Sequence, residues 1–189
     1  EVLPAPTVGR WFERYGQRVT LINMYGPTEA SIQATAHVVN EAWAGVEHAI
    51  PIGHAIDGVE ILILDEAMNP VPPGATGELW IGGVQLARGY LHDAEKTAGA
   101  FVANPFPHVE GPHIYRTGDR ASRRADGSYD FHGRVDTQVK VRGFRIELGE
   151  IEHGLLGHAA VREAAVVVAD FGDNRKRLVA FLTGEPVEP

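Results

Sequence analysis

From Ile114 onward the chain alternates short β-favouring runs with glycine turns, and this punctuation constrains the fold more than any other feature. Asp126-Gly127, between Ala121–Arg124 and Tyr129–His132, is a strong hairpin signal, because the tightest hairpin turns need positive φ at their central residues. Arg142-Gly143, between Gln138–Val141 and Phe144–Glu147, reads as a second hairpin. Two-residue turns join antiparallel neighbours, whereas parallel strands need crossovers of a dozen residues or more. A purely parallel, doubly wound sheet is therefore not expected, and the fold class is mixed α+β.

The earlier half supplies the other elements. Residues 8–16 read as a short amphipathic helix with Trp11, Phe12 and Tyr15 on one side. Val19 to Tyr25 is an apolar strand halted by Gly26-Pro27, and Val59–Asp65 and Glu78–Ile81 are two more. Asp93 is a candidate N-cap for a helix over 93–101. Beyond the second hairpin, Glu150–Leu156 has helical spacing, with Ile151 and Leu155 on a shared face. Val161–Ala169 and Arg177–Leu182 are apolar strands.

Composition excludes several classes of function. A net charge of −8 argues against a general nucleic-acid binder, and Arg116, Arg120, Arg123 and Arg124 read as a solvated strand face. With no cysteine, disulfides and thiolate metal sites are ruled out, and the nine histidines never fall into ligand spacing. No apolar run approaches the ~18 residues that a membrane-spanning helix needs, so no membrane partner is expected and the cytoplasm is the default location. The chain opens at Glu1 with no methionine, as a cut inside a larger protein would.

Three segments carry candidate chemistry. In Asn23-Met24-Tyr25-Gly26-Pro27-Thr28-Glu29, a strand end and a Gly-Pro corner project an aromatic face, a hydroxyl and a hard carboxylate oxygen suited to Mg²⁺. The bland alternative is a plain turn with Thr28 as a helix cap. In Tyr115-Arg116-Thr117-Gly118-Asp119, a carboxylate behind a Thr-Gly turn can accept two ribose hydroxyls, or can simply close an Asx turn. In residues 133–152, Arg134 is a permanent planar donor fork suited to nucleotide oxygens, and Gly143 permits close backbone approach. On propensity alone the last segment is a hairpin and helix with solvated charges.

Together, and in this order, these strings resemble the core motifs of the adenylate-forming superfamily, most closely the adenylation domains of nonribosomal peptide synthetases. Gly77-Glu78-Leu79-Trp80-Ile81-Gly82-Gly83 with Leu86-Ala87-Arg88-Gly89-Tyr90-Leu91 resembles a fourth family motif. The resemblance implies that residues 1–135 end the large subdomain, that 136–189 begin the small C-terminal one, and that Asp136 is the hinge. It implies an ATP- and Mg²⁺-dependent ligase of secondary metabolism, such as antibiotic biosynthesis. Such a ligase forms an aminoacyl-AMP from an amino acid and passes the acyl group to the phosphopantetheine of a peptidyl carrier protein.

By the same resemblance, Thr28 and Glu29 are catalytic, with Glu29 holding the metal. Asn23, Tyr25, Gly26, Thr28, Asp119, Arg134 and Arg145 bind ATP or AMP. Met24, Ile32 and Gln33 line the amino-acid pocket, and Arg142, Gly143 and Arg145 lie on the loop brought in for thiolation. Glu1 and Val2 resemble the end of a Gly-Gly-Glu segment by the adenine pocket. An MbtH-like helper and an inserted methyltransferase domain are partners known in such systems. Departures are small: Arg120 stands where leucine is common, Gln85 replaces a frequent glycine, and Phe131 occupies a position that is usually aromatic or aliphatic. The rival readings are an acyl- or aryl-CoA ligase, or a non-catalytic remnant that retains nucleotide affinity.

The family's Ser/Thr/Gly-rich phosphate loop and its C-terminal Asn-Gly-Lys context do not occur in these 189 residues. This chain by itself is therefore expected to catalyse no ATP–pyrophosphate exchange, and exchange above background by the purified 189-residue protein would contradict that expectation.

Overall fold

The computed structural model describes residues 2–46, 49–141, 143–170 and 176–184. The chain divides into two compact units, one of Val2–Val135 and one that begins at Asp136.

In the first unit, helix α1 (Ala5–Tyr15) starts at a proline in its first turn, where a missing N–H costs nothing, and ends at Gly16. Strands β1 (Leu21–Tyr25), β2 (Thr35–Val39) and β3 (His54–Ala55) form a three-stranded antiparallel sheet in sequence order. Val8 of α1 packs with Val39 and Ile50 to make a small core beside this sheet.

The larger sheet contains β4 (Val59–Leu64), β5 (Thr76–Gly83), β6 (Phe101–Ala103), β7 (His113–Arg123) and β8 (Tyr129–Arg134). Its order is β4-β5-β7-β6 with β8 also paired to β7, and all pairings are antiparallel. Both faces are covered, so β4 and β5 read as continuous apolar runs. Ile61, Ile63, Leu79, Ile81 and Ala121 face a core that includes Ala30, Ala34 and Ile52, while Leu62, Leu64, Trp80 and Ile114 face a second core with Val109. Helix α2 (Ala94–Ala100) has the expected cap, with Asp93 Oδ1 accepting the Lys96 N–H at 2.9 Å.

The expected break at Thr117-Gly118 is not a turn. Strand β7 runs unbroken from His113 to Arg123, and the glycine forms a bulge inside it. Leu79 pairs with Asp119 and Trp80 with Arg116, so Thr117 and Gly118 are extra residues on the β7 side. Gly118 has φ 72°, a left-handed value that explains the glycine. The pull of two flanking strands, which no local propensity records, converts the turn signal into a bulge.

In the second unit, β9 (Gln138–Val141) pairs antiparallel with β10 (Phe144–Glu147), followed by α3 (Leu148–Leu156). Strand β11 (Val161–Asp170) then pairs antiparallel with β12 (Lys176–Gly184). Among the described residues, no helix is long and apolar enough to cross a membrane.

Leu79 and Ile81 are fully buried on the central strand, so Leu79→Ala should cost about 2–5 kcal/mol. Urea unfolding of the two proteins measures it.

Candidate nucleotide site

Asp119 is the centre of the site. The Gly118 bulge lies on its β5 side, and a second register shift, with Gly133 at φ 95°, lies on its β8 side. The two irregularities leave Asp119 directly opposite Arg134. Arg134 Nη1 donates to Asp119 Oδ1 at 2.7 Å and to the Thr117 carbonyl at 3.1 Å. From β1, the Tyr25 hydroxyl donates to Asp119 Oδ2 at 2.5 Å. Thr117 stiffens the bulge from behind: its Oγ1 accepts the Asp119 N–H at 2.9 Å and donates to the Leu79 carbonyl at 2.6 Å.

Tyr25 and Arg134, from two different strands, thus meet at one buried carboxylate. Burial, and then the negative charge of Asp119, push the Tyr25 phenol well above its ordinary value, so it stays a proton donor. The Tyr25 ring also lies 6.1 Å from that of Phe131, tilted by 38°.

Beyond Tyr25 the chain makes a tight corner. A Cβ on Gly26 would lie 2.5 Å from the Ile32 carbonyl oxygen and 2.7 Å from the Ala34 nitrogen, so only glycine fits. Pro27, not Thr28, is the N-cap of the short 3₁₀ turn Thr28–Ala30, and the Thr28 side chain is exposed. Glu29 is buried, and the Tyr90 hydroxyl donates to its Oε1 at 2.6 Å. Ser31 and Ile32 then adopt φ 55° and 73°, a rare conformation for a β-branched side chain.

The other candidates divide. Asn23 shares the inward face of β1 with Tyr25, but its Nδ2 donates to the Pro51 carbonyl at 2.8 Å and the Ile50 carbonyl at 3.5 Å. Met24, Ile32 and Gln33 are exposed, with Met24 on the opposite face of β1, so the described residues form no closed pocket around them. Asp136, Gly143 and Arg145 belong to the second unit, where Arg145 Nε donates to Gln138 Oε1 at 2.7 Å and Gln138 donates in turn to Glu147. Arg142 and Glu1 lie outside the described residues.

Residues 1–91 match the family described as AMP-binding enzyme. The dimodular nonribosomal peptide synthase of Bacillus subtilis (strain 168) is 47% identical over 166 residues, which is 88% of this chain and 7% of that protein. A solved nonribosomal peptide synthetase protein containing adenylation and PCP domains superposes with a TM-score of 0.85 at 35% identity, over 98% of this chain and 37% of its own. The chain belongs to the AMP-binding adenylation-domain family. A four-domain nonribosomal peptide synthetase, bound to AMP and glycine, matches 100% of this chain and 14% of its own at TM-score 0.64 and 39% identity. The chain therefore spans a small part of its adenylation-domain relatives.

Tyr90 is the site residue to which the sequence assigned no role. It sits in the fourth adenylation-domain motif, and no short stretch of sequence ties it to Glu29, 61 residues away.

The Tyr25 and Tyr90 phenols are both raised from the ordinary 10.0, so the folded protein retains protons that an unfolded chain releases. Their contribution to stability is complete below 10.0 and is lost as pH climbs from there toward the raised values. Urea midpoints should fall across that range, and less steeply in a Tyr25→Phe/Tyr90→Phe protein.

Proposed function

We propose that this chain supplies the nucleotide corner of an ATP-dependent, amino-acid-activating adenylation domain. Its product would be an aminoacyl-AMP, and its acyl acceptor the phosphopantetheine thiol of a carrier protein. The observation that carries the reading is the clasp of Asp119 between the Tyr25 hydroxyl and Arg134.

An ionised carboxylate has about four lone-pair positions. Asp119 can therefore accept ribose hydroxyls beside the protein donors, or in place of one of them. Arg134, tied to the same carboxylate, is placed to reach ribose or phosphate oxygens with its remaining N–H groups. Tyr25 offers its ring to the adenine, Asn23 lies on the same strand face for the adenine edge, and Gly26 lets the corner close. The hydroxyl of Thr28, exposed at the start of the 3₁₀ turn, is assigned to the α-phosphate.

The Glu29 carboxylate fits Mg²⁺. It is a hard oxygen donor with its orientation fixed, and the described residues hold no cluster of three acidic or imidazole groups. Mg²⁺ is commonly held by one or two carboxylates plus substrate phosphates, not by an all-protein cage. When bound, it would neutralise developing charge on the phosphates.

Two displacements follow. An oxygen of the amino-acid carboxylate bonds to the α-phosphorus as the bond to the β-phosphate breaks, releasing pyrophosphate. The carrier thiol then bonds to the acyl carbon as the bond to AMP breaks, the thiol proton passing to solvent. The chain's own residues orient the nucleotide and stabilise charge, a role that requires no protein nucleophile. In this reading Asp136 is the hinge, Arg142, Gly143 and Arg145 serve the thiolation arrangement, and Met24, Ile32 and Gln33 form part of the amino-acid wall. A helper protein and an inserted methyltransferase do not enter the proposal.

In the full-length protein, Asp119→Ala should weaken AMP binding roughly ten- to hundredfold, since hydrogen bonds to a charged group contribute about 1.5–3 kcal/mol. Calorimetric titration measures it, and unchanged AMP affinity would remove the ribose role. Pyrophosphate exchange across a panel of amino acids, with carrier protein or free CoA as acceptor, then identifies the substrate and the acceptor.

A further inference from the structure

The segment Gln85–Tyr90 lies across the Thr28–Ala30 turn and is fastened to it at three places. The Ser31 hydroxyl donates to the Gln85 carbonyl at 2.8 Å, the Ala87 N–H donates to the Glu29 carbonyl at 2.8 Å, and the Tyr90 hydroxyl donates to Glu29 Oε1 at 2.6 Å. Two of the three fall on Glu29 itself, one on its backbone and one on its carboxylate.

Tyr90 is itself held in place. Its N–H donates to Thr97 Oγ1 at 2.9 Å, and that hydroxyl is anchored by the Asp93 carbonyl at 2.7 Å, in the first turn of α2. Its ring meets Phe101 edge-on at 5.8 Å, and Phe101 packs on the fully buried Tyr115 at 5.0 Å. Gly89 makes the approach possible: with φ 140°, a Cβ there would lie 2.5 Å from Thr97 Cγ2.

The geometry points to Tyr90 as a positioning residue, whose hydroxyl fixes the Glu29 carboxylate in the orientation that meets the metal and the ATP phosphates. A free carboxylate on a short 3₁₀ turn would sample several rotamers. One oxygen tethered at 2.6 Å to an immobilised ring restricts that freedom. The fourth motif then acquires a role as the strap that carries this tyrosine to the metal-side acid. The inference rests on the reading of Glu29 as the Mg²⁺ ligand.

The test uses the full-length protein with Tyr90→Phe and Glu29→Gln. Mn²⁺ binding in the presence of ATP, without amino acid, is read by electron paramagnetic resonance, and AMP binding without metal is read by calorimetry. Tyr90→Phe keeps the ring packing and removes only the hydroxyl. It should weaken Mn²⁺ binding about 10–100-fold, as loss of an outer partner of a metal ligand typically does, and leave metal-free AMP affinity unchanged. Weakening by Glu29→Gln but not by Tyr90→Phe would overturn the Tyr90 assignment alone. No weakening by either would overturn the Glu29 reading and the Tyr90 assignment with it. Parallel loss of Mn²⁺ and metal-free AMP binding in Tyr90→Phe would mark a merely structural tyrosine and also overturn the assignment.

Discussion

A single buried carboxylate organises the first unit. Asp119 lies inside a five-stranded sheet, where an uncompensated charge would be expensive, and it is satisfied by a guanidinium from β8 and a phenol from β1. The pair with Arg134 is mostly shielded, with 19% and 11% of the two side chains exposed. Removing one partner of such a pair typically costs about 3–5 kcal/mol, because the other is left buried and unmatched. The same contact that makes the ion tolerable also fixes β1, β7 and β8 with respect to one another.

That arrangement depends on two local departures from regular sheet. Without the extra residues at Thr117-Gly118, strand β7 would keep a simple alternation, and its register with β5 would carry Asp119 to a different place. Without the irregularity by Gly133, Arg134 would not stand opposite it. Bulges cost ladder hydrogen bonds, and here Thr117 makes good part of the loss through its own hydroxyl. The second buried acid, Glu29, is handled on a different plan. Glu29 sits on a turn too short to be rigid by itself, so rigidity comes from outside, from the strap that ends in Tyr90. In the function proposed above, the first would seat the sugar and the second would serve the phosphates, a chemistry that relies on placement and charge.

Much of this was legible in the sequence, residue by residue. The Asp126-Gly127 hairpin, the Asp93 cap and the apolar runs of β4 and β5 fell where pattern placed them, because each depends on neighbours within a few positions. The motif strings pointed to the family. Other features were not legible. Thr-Gly looked like a turn because turn residues and bulge residues are chemically the same, and only paired strands on both sides tell them apart. Nor did local pattern record that the Asn23 amide nitrogen serves the Ile50 and Pro51 carbonyls, 27 and 28 residues away. Met24, Ile32 and Gln33 are exposed among the described residues, and exposure is a property of the surrounding chain that no short window records.

The sequence by itself determined the types of the longer elements, the antiparallel hairpins, the glycine corner at Gly26 and the identity of the charged groups, since those follow from backbone sterics and side-chain chemistry acting locally. Only the tertiary structure decided that the Tyr25 hydroxyl donates to Asp119, 94 residues away, and that Tyr90 reaches back 61 residues to Glu29. The reason is physical: a hydrogen bond across such a separation is set by sheet register and by which faces are buried, and neither is encoded in any short window of chain.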